Sequence, residues 1–419
     1  MLLPVTGSGS HATVRYRALF RDSEFSGMYV ADVLTMTGTY LSRLAVAVLV
    51  YDRTSSVGLT ALTFAISYAP YVFAPILSTL ADRLPRKHLL VLSDVSRALL
   101  VLLMVIPGVQ LWLLWSVLFT LELIQIPFGA ARLATLADIL EGDRFAVGNA
   151  LVASTRQALQ VAGFAIGGAV VAATSPRAAL LIDSFTYSVS AVIILIFVRH
   201  RPLTWTVESP PPSMFRGALA GIRFVTRTPG MKRLFVLLGI GPAIIVIAEG
   251  LAVPFSDQLG GGTRLAGIIM AAAPVGNVIG YSIAGRLPVA LQQRMVFGLA
   301  AAGGATVALA GLAGIVAESP IPVIVVLVVS GATLAYLNAI QVQIANAVPR
   351  ETRGRVFGLG NAVMQLAQGG AVALAGLLAE SSRIGTVLIV SGVIGIALVL
   401  ALAAVSRWRD ARQPGRVTY

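Results

Sequence analysis

Apolar runs of about twenty residues follow one another along almost the whole chain, and the few charges fall mainly in the short gaps between them. A helix rises about 1.5 Å per residue, so a run of that length crosses the roughly 30 Å hydrocarbon core of a bilayer. Twelve runs can be read, approximately 27–50, 57–81, 88–107, 110–131, 148–173, 177–198, 233–255, 264–285, 294–317, 320–343, 355–379 and 384–405. With 57% hydrophobic and 12% charged residues among 419, the composition is that of a polytopic membrane protein. The expected fold class is all-α integral membrane, with twelve transmembrane helices and the lipid bilayer as solvent. The longest gap, 199–232, has room for a linker but not for a domain.

A formal charge of +13 raises the question of nucleic acid, and its distribution answers it. Of 31 Lys and Arg residues, 24 lie in segments on the side of the two termini, four (Arg53, Arg177, Arg264, Arg383) lie on the other side, and Arg43, Arg97 and Arg156 lie within runs. By the positive-inside rule both termini are cytoplasmic, and nucleic acid is not needed as a partner. The expected place is the cell membrane, multi-pass. The first seventeen residues lack the apolar core of a cleavable signal, so the first span itself must direct insertion.

The absence of cysteine removes disulfides and thiolate chemistry, and no G-x-x-x-x-G-K-[ST] loop points to ATP. No cofactor or metal is expected. His11, His88 and His200 all fall outside the runs and are not candidates for a proton relay.

Two short matches indicate an internal duplication. ADRLP at Ala81–Pro85 follows run 2 and AGRLP at Ala284–Pro288 follows run 8, while LEGDRFAVGNAL from Leu140 aligns with VPRETRGRVFGL from Val348 at nearly the same offset. The implied organisation is a six-helix bundle over 1–198, a cytoplasmic linker over 199–232 and a second bundle over 233–419. Within the linker, Glu208–Pro212 breaks structure. Phe215, Leu219, Ile222 and Val225 then share a helical face against Arg216, Arg223 and Arg227, the pattern of a short helix on the inner membrane surface.

STLADRLPRK, Ser78–Lys87, resembles the signature G-x-x-x-D-R-x-G-R-K of the major facilitator superfamily, with Asp82, Arg83, Arg86 and Lys87 matching and Ser78 and Pro85 in place of glycines. SDVSRALLVLL from Ser93 and VPRETRGRVFGL are similar to strings of its twelve-span drug and siderophore exporters. GFAIGG, Gly163–Gly168, is similar to the antiporter motif G-P-x-x-G-G, with Phe164 replacing proline; the same glycines also suit close helix packing. The resemblance implies two bundles around a cavity and a conformational latch between halves formed by Asp82 with Arg132, supported by Arg83, Arg86 and Lys87.

An ionisable group in hydrocarbon costs at least about 2.5 kcal/mol, so each one needs a reason. Glu122 lies eleven residues into run 4, near the midplane, with Trp112, Trp115 and Phe119 on its face and Gln125 a turn on. It is the first candidate for proton coupling. In run 1, Asp32 and Arg43 share a face with Thr35 and Thr39, and Arg43 needs a carboxylate, for which Asp183 and Glu249 lie at suitable depth. Asn277 with Tyr281, Asn338 with Gln341, and Asn361 with Gln365 and Gln368 form polar stripes that either line a cavity or join helices. Asp94, Arg97 and Arg156 read as parts of a network near the cytoplasmic ends. The function expected is proton-coupled efflux of a small amphipathic organic substrate (drug, antibiotic, siderophore or secondary metabolite) by a monomer. Import on the same fold is the first alternative and a non-transporting sensor or scaffold the second; an enzyme would need converging His, Cys or metal ligands.

Overall fold

Hydrocarbon offers backbone N–H and C=O groups no partner, so a chain of apolar runs must satisfy them within each run, as helix. The computed structural model describes residues 16–201, 214–317 and 319–412, and all regular structure among them is helical. Among the described residues twelve helices are long and apolar enough to cross a membrane: spans 1 (Ser23–Thr54), 2 (Val57–Leu77), 3 (Arg86–Val105), 4 (Leu111–Ile139), 5 (Asp143–Ala173) and 6 (Pro176–Phe197), then 7 (Met231–Gly250), 8 (Gly262–Ala284), 9 (Val289–Val316), 10 (Ile321–Ala347), 11 (Thr352–Ala379) and 12 (Ile384–Ser406). Side-chain caps open three of them. Asp22 Oδ1 accepts from the Glu24 N–H at 2.9 Å before span 1, Ser56 Oγ from Leu59 N–H at 3.0 Å at span 2, and Ser175 Oγ from Ala178 N–H at 3.1 Å at span 6.

Several helices overrun their apolar stretches. Span 4 continues to Ile139 and span 10 to Ala347, because a helix does not stop where the hydrocarbon does; only its hydropathy changes. Span 2 breaks at Ser67–Tyr68 and passes into a 3-10 turn, Ala69–Phe73, where Pro70 has no N–H to continue the ladder. Span 7 breaks at Leu251 and resumes over Ala252–Gln258; span 10 breaks at Leu334 and resumes at Tyr336. The linker contains the expected helix, Met214–Arg227, whose Val225 is buried while Leu219 and Ile222 are exposed. Glu208–Pro212 and the side chains of Phe215 and Arg216 lie outside the described residues.

The buried apolar residues form three bodies. On the face away from the termini one core runs through both halves, from Leu41–Val50 and Phe64 through Ile244–Phe255 and Leu265–Ala272 to Val372 and Leu388. On the face of the termini there are two separate cores, one built from Phe25, Leu90, Phe128 and Leu140 and the other from Leu234, Phe235, Tyr336 and Val356. The halves therefore share one core on one side and keep separate cores on the other, where span 11 and the linker helix still touch the end of span 2 at Ala74–Leu77.

Glycines make the shared core possible. A Cβ on Gly267 of span 8 would fall 2.5 Å from the Phe164 carbonyl oxygen, so spans 5 and 8 meet backbone to backbone across the halves at the Gly163–Gly168 motif.

Candidate functional site

Midway through the first bundle a cavity of about 190 Å³ is lined by residues of spans 1 to 6 alone. Arg43, Glu122, Gln125 and Asp183 line it, together with three tyrosines (Tyr40, Tyr71, Tyr187) and two arginines, Arg97 and Arg156. Leu118, Leu121, Val101, Met104 and Leu180 supply its apolar wall.

Arg43 has neither of its expected partners. Its Nη2 donates to Glu122 Oε1 at 2.8 Å, an ion pair joining spans 1 and 4. Depth along each helix allowed Asp183 and Glu249 equally well, but depth carries no information about which face of the bundle a residue occupies. Glu249 is half-buried on span 7 and does not line this cavity. Asp183, 2% exposed, lies against Gly38, where an added Cβ would come within 2.3 Å of its Oδ1. That oxygen makes no hydrogen bond to the protein, and neither do Glu122 Oε2, Arg43 Nε or Ser42 Oγ.

Asp32 does not join Arg43 in a cavity stripe. Arg132 Nη1 donates to its Oδ2 at 3.0 Å, and Arg156 Nη2 donates to its Oδ1 at 3.3 Å, so one carboxylate holds two cations. Arg132 is thus bonded to Asp32; the side chain of Asp82, its expected partner, lies outside the described residues. The rest of the expected latch stays within the first bundle: Arg86 pairs with Asp138 at the end of span 4, and Lys87 Nζ donates to the Leu195 carbonyl at 2.7 Å. Arg83 is partly buried, with its Nε unbonded.

Arg97 and Asp94 also depart from expectation. They are paired, but deep in the bundle rather than at its rim: both are at most 1% exposed, and Arg97 reaches Gln125 while Asp94 accepts from Ser190 Oγ at 2.6 Å. The guanidinium lies 4.0 Å from the Phe128 ring centroid and 4.7 Å from that of Tyr187, a cation–π sandwich. The same depth count that selected Glu122 applies to Arg97, eleven residues into span 3, and signals it equally well.

The aromatic setting of Glu122 comes from other helices. Trp112 is 61% exposed on the lipid-facing side, and Trp115 Nε1 donates to Thr63 at 2.9 Å; Tyr40 and Tyr71 line the cavity with Glu122 instead. None of the second-half residues lines this cavity. Asn338 Nδ2 donates to Gln292 Oε1 at 3.0 Å, joining spans 10 and 9, which is the helix-joining role. Asn277 and Tyr281 are half-buried on span 8, Gln341 and Asn361 are exposed, and Gln365 Oε1 accepts from Gln368 Nε2 at 2.9 Å within span 11.

Arg43 offsets Glu122 and Arg97 offsets Asp94; Asp32 faces two arginines, leaving one cation in excess, and Asp183 has no cation bonded to it. A buried carboxylate without a partner is costly unless a proton or a ligand neutralises it.

Known proteins supply the wider setting. Residues 16–413 match the family described as transmembrane secretion effector. An uncharacterized MFS-type transporter of Bacillus subtilis (strain 168), YfiS, is 26% identical over 399 residues, covering 90% of this chain and 92% of its own. Among solved structures, a variant of the nucleoside transporter NupG superposes with a TM-score of 0.74 at 14% identity, covering 91% of this chain and 99% of the other. A POT family transporter in complex with 5-aminolevulinic acid gives 0.71 at 13% identity, covering 91% and 95%. A bacterial homologue of the human lysosomal transporter Spinster, in an inward-facing and unoccupied conformation, gives 0.65 at 14%, covering 91% and 94%. Twelve spans in two bundles, a polar cavity at mid-depth and a family match over nearly the whole length converge: the chain belongs to the transmembrane secretion effector family of major facilitator transporters.

Proposed function

We propose that this transporter is a proton-coupled exporter of a small amphipathic organic compound, of the drug and siderophore exporter branch, in a bacterial cell membrane with both termini in the cytoplasm. The observation that carries the reading is Asp183, a buried carboxylate at the cavity wall with an unbonded oxygen and no cation attached. A proton and a cationic or hydrogen-bonding group of the substrate compete to neutralise it, and competition for one site is what exchange in opposite directions requires. Glu122, with its own unbonded oxygen beside Arg43, extends that site. The excess of Lys and Arg on the termini face supports the orientation, since the face on which the two halves have separate cores then looks to the cytoplasm, where an exporter collects its cargo.

The arginines favour a second reading. With a proton on Asp183 the cavity carries one cation in excess and suits an organic anion, so that proton and substrate would travel together, as in an importer. A single experiment separates the two. In cells loaded with a panel of cationic and anionic compounds, the exporter reading expects efflux that stops when a protonophore is added and is lost in Asp183→Asn with expression unchanged. Uptake of an anion driven by external acidity supports the second reading, and transport unaffected by either treatment overturns both.

A further inference from the structure

Span 11 ends on a charge of the wrong sign for its own helix. Glu380 is its C-terminal cap residue, where the helix dipole is negative and an acidic side chain is disfavoured. The side chain instead crosses to the other half, to the start of span 2. Glu380 Oε2 accepts from the Gly58 backbone N–H and from Ser56 Oγ, the latter at 3.1 Å. Those donors belong to the first turn of a ten-residue helix, Val57–Ile66, whose cap Ser56 already uses its oxygen to accept from Leu59 N–H. Gly58 N–H would otherwise have no partner, as the leading N–H groups of any helix have none. A carboxylate there gains both the hydrogen bonds and the positive end of the dipole.

The approach is shaped for this contact. A Cβ on Gly58 would lie 2.9 Å from Glu380 Oε2, and one on Gly376, a turn earlier in span 11, would lie 2.3 Å from the Ala61 Cβ. Small residues on both helices let the carboxylate reach the backbone. A second polar bond crosses the halves on the same face, from Tyr51 Oη to Asp257 Oδ2 at 3.0 Å. Both bonds lie on the face away from the termini, where the apolar core is continuous, and both must break before that face can open.

We propose that Glu380 is the positioning residue that holds this face shut, capping span 2 from the opposite half and so weighting the transporter toward the state that is open on the face of the termini. Its role is conformational and does not depend on which substrate or ion is carried. When the face opens, Gly58 N–H loses the carboxylate and Glu380 is left at an unfavourable helix end, so the bond contributes only to the closed state.

The natural chain has no cysteine, which permits paired spin labels without prior substitution. Labels at Arg177→Cys and Ser382→Cys, both exposed on this face, report the separation of the halves by pulsed electron resonance in purified full-length protein. Glu380→Gln, which keeps the shape and removes the charge, is expected to raise the population at long distance several-fold. Gly58→Ala, which keeps the charge and obstructs its approach, is expected to act in the same direction. Distance distributions that superpose on the parent in both variants overturn the proposal. The measurement needs no substrate or proton gradient, so its outcome is independent of whether the export reading holds.

Discussion

At the scale of single residues the Arg43–Glu122 pair is the clearest target. Removing one member of a buried ion pair leaves the other uncompensated, at a cost of about 3–5 kcal/mol unless it takes up or gives up a proton. Arg43 is only partly enclosed, which places it toward the low end of that range. Arg43→Ala is therefore expected to unfold at lower temperature in detergent, and Arg43→Ala with Glu122→Gln to recover part of the loss. Arg43→Ala with Asp183→Asn serves as the control and is expected to recover none; recovery there instead of with Glu122→Gln would reassign the pair. The charged residues themselves were legible from sequence, since a mid-span Glu, Asp or Arg stands out in apolar surroundings. Their partners were not. Asp32 finds Arg132 one hundred positions away, and helical spacing says only how deep each residue sits, not how the helices are turned toward one another.

The elements show a similar division between what a linear pattern encodes and what packing decides. Twelve apolar runs gave twelve spans because length and hydropathy are local properties, whereas the breaks in spans 7 and 10 left no mark that hydropathy could register. Glycines were visible, but their contacts were not. Gly276 of span 8 lies so close to span 10 that a Cβ would fall 1.7 Å from the Val328 carbonyl oxygen, and on the facing side a Cβ on Gly331 would fall 1.9 Å from that of Ala273. Neither obstacle is a side chain that could swing away. Gly276→Ala is thus expected to push the two helices apart and cost about 1–3 kcal/mol, with thermal unfolding as the readout. Gly298, with open space around it, gives the contrasting case, where the same substitution should leave the unfolding temperature unchanged.

At the scale of the whole molecule, the halves are joined by a covalent linker and by one shared apolar core. That core lies away from the linker, so cutting the chain within 202–213 should leave the packing between the halves untouched. Co-expressed fragments 1–205 and 206–419 are expected to purify together through a tag on either one. Their separation would mean that the linker, and not the core, holds the pair. The domain division at the linker is a proposal that this experiment also tests.

Among the described residues this cavity is lined by the first bundle alone, while the second bundle supplies glycine contacts and the carboxylate that caps span 2. If the two halves are copies of one ancestral repeat, as the short sequence matches imply, only one copy builds the wall of this cavity. Such a division lets selection change cargo without disturbing motion. A lineage adapting to a new compound would gather its substitutions at the wall residues of spans 1, 3, 4 and 6, and leave the second half to drift under the slower constraint of fit.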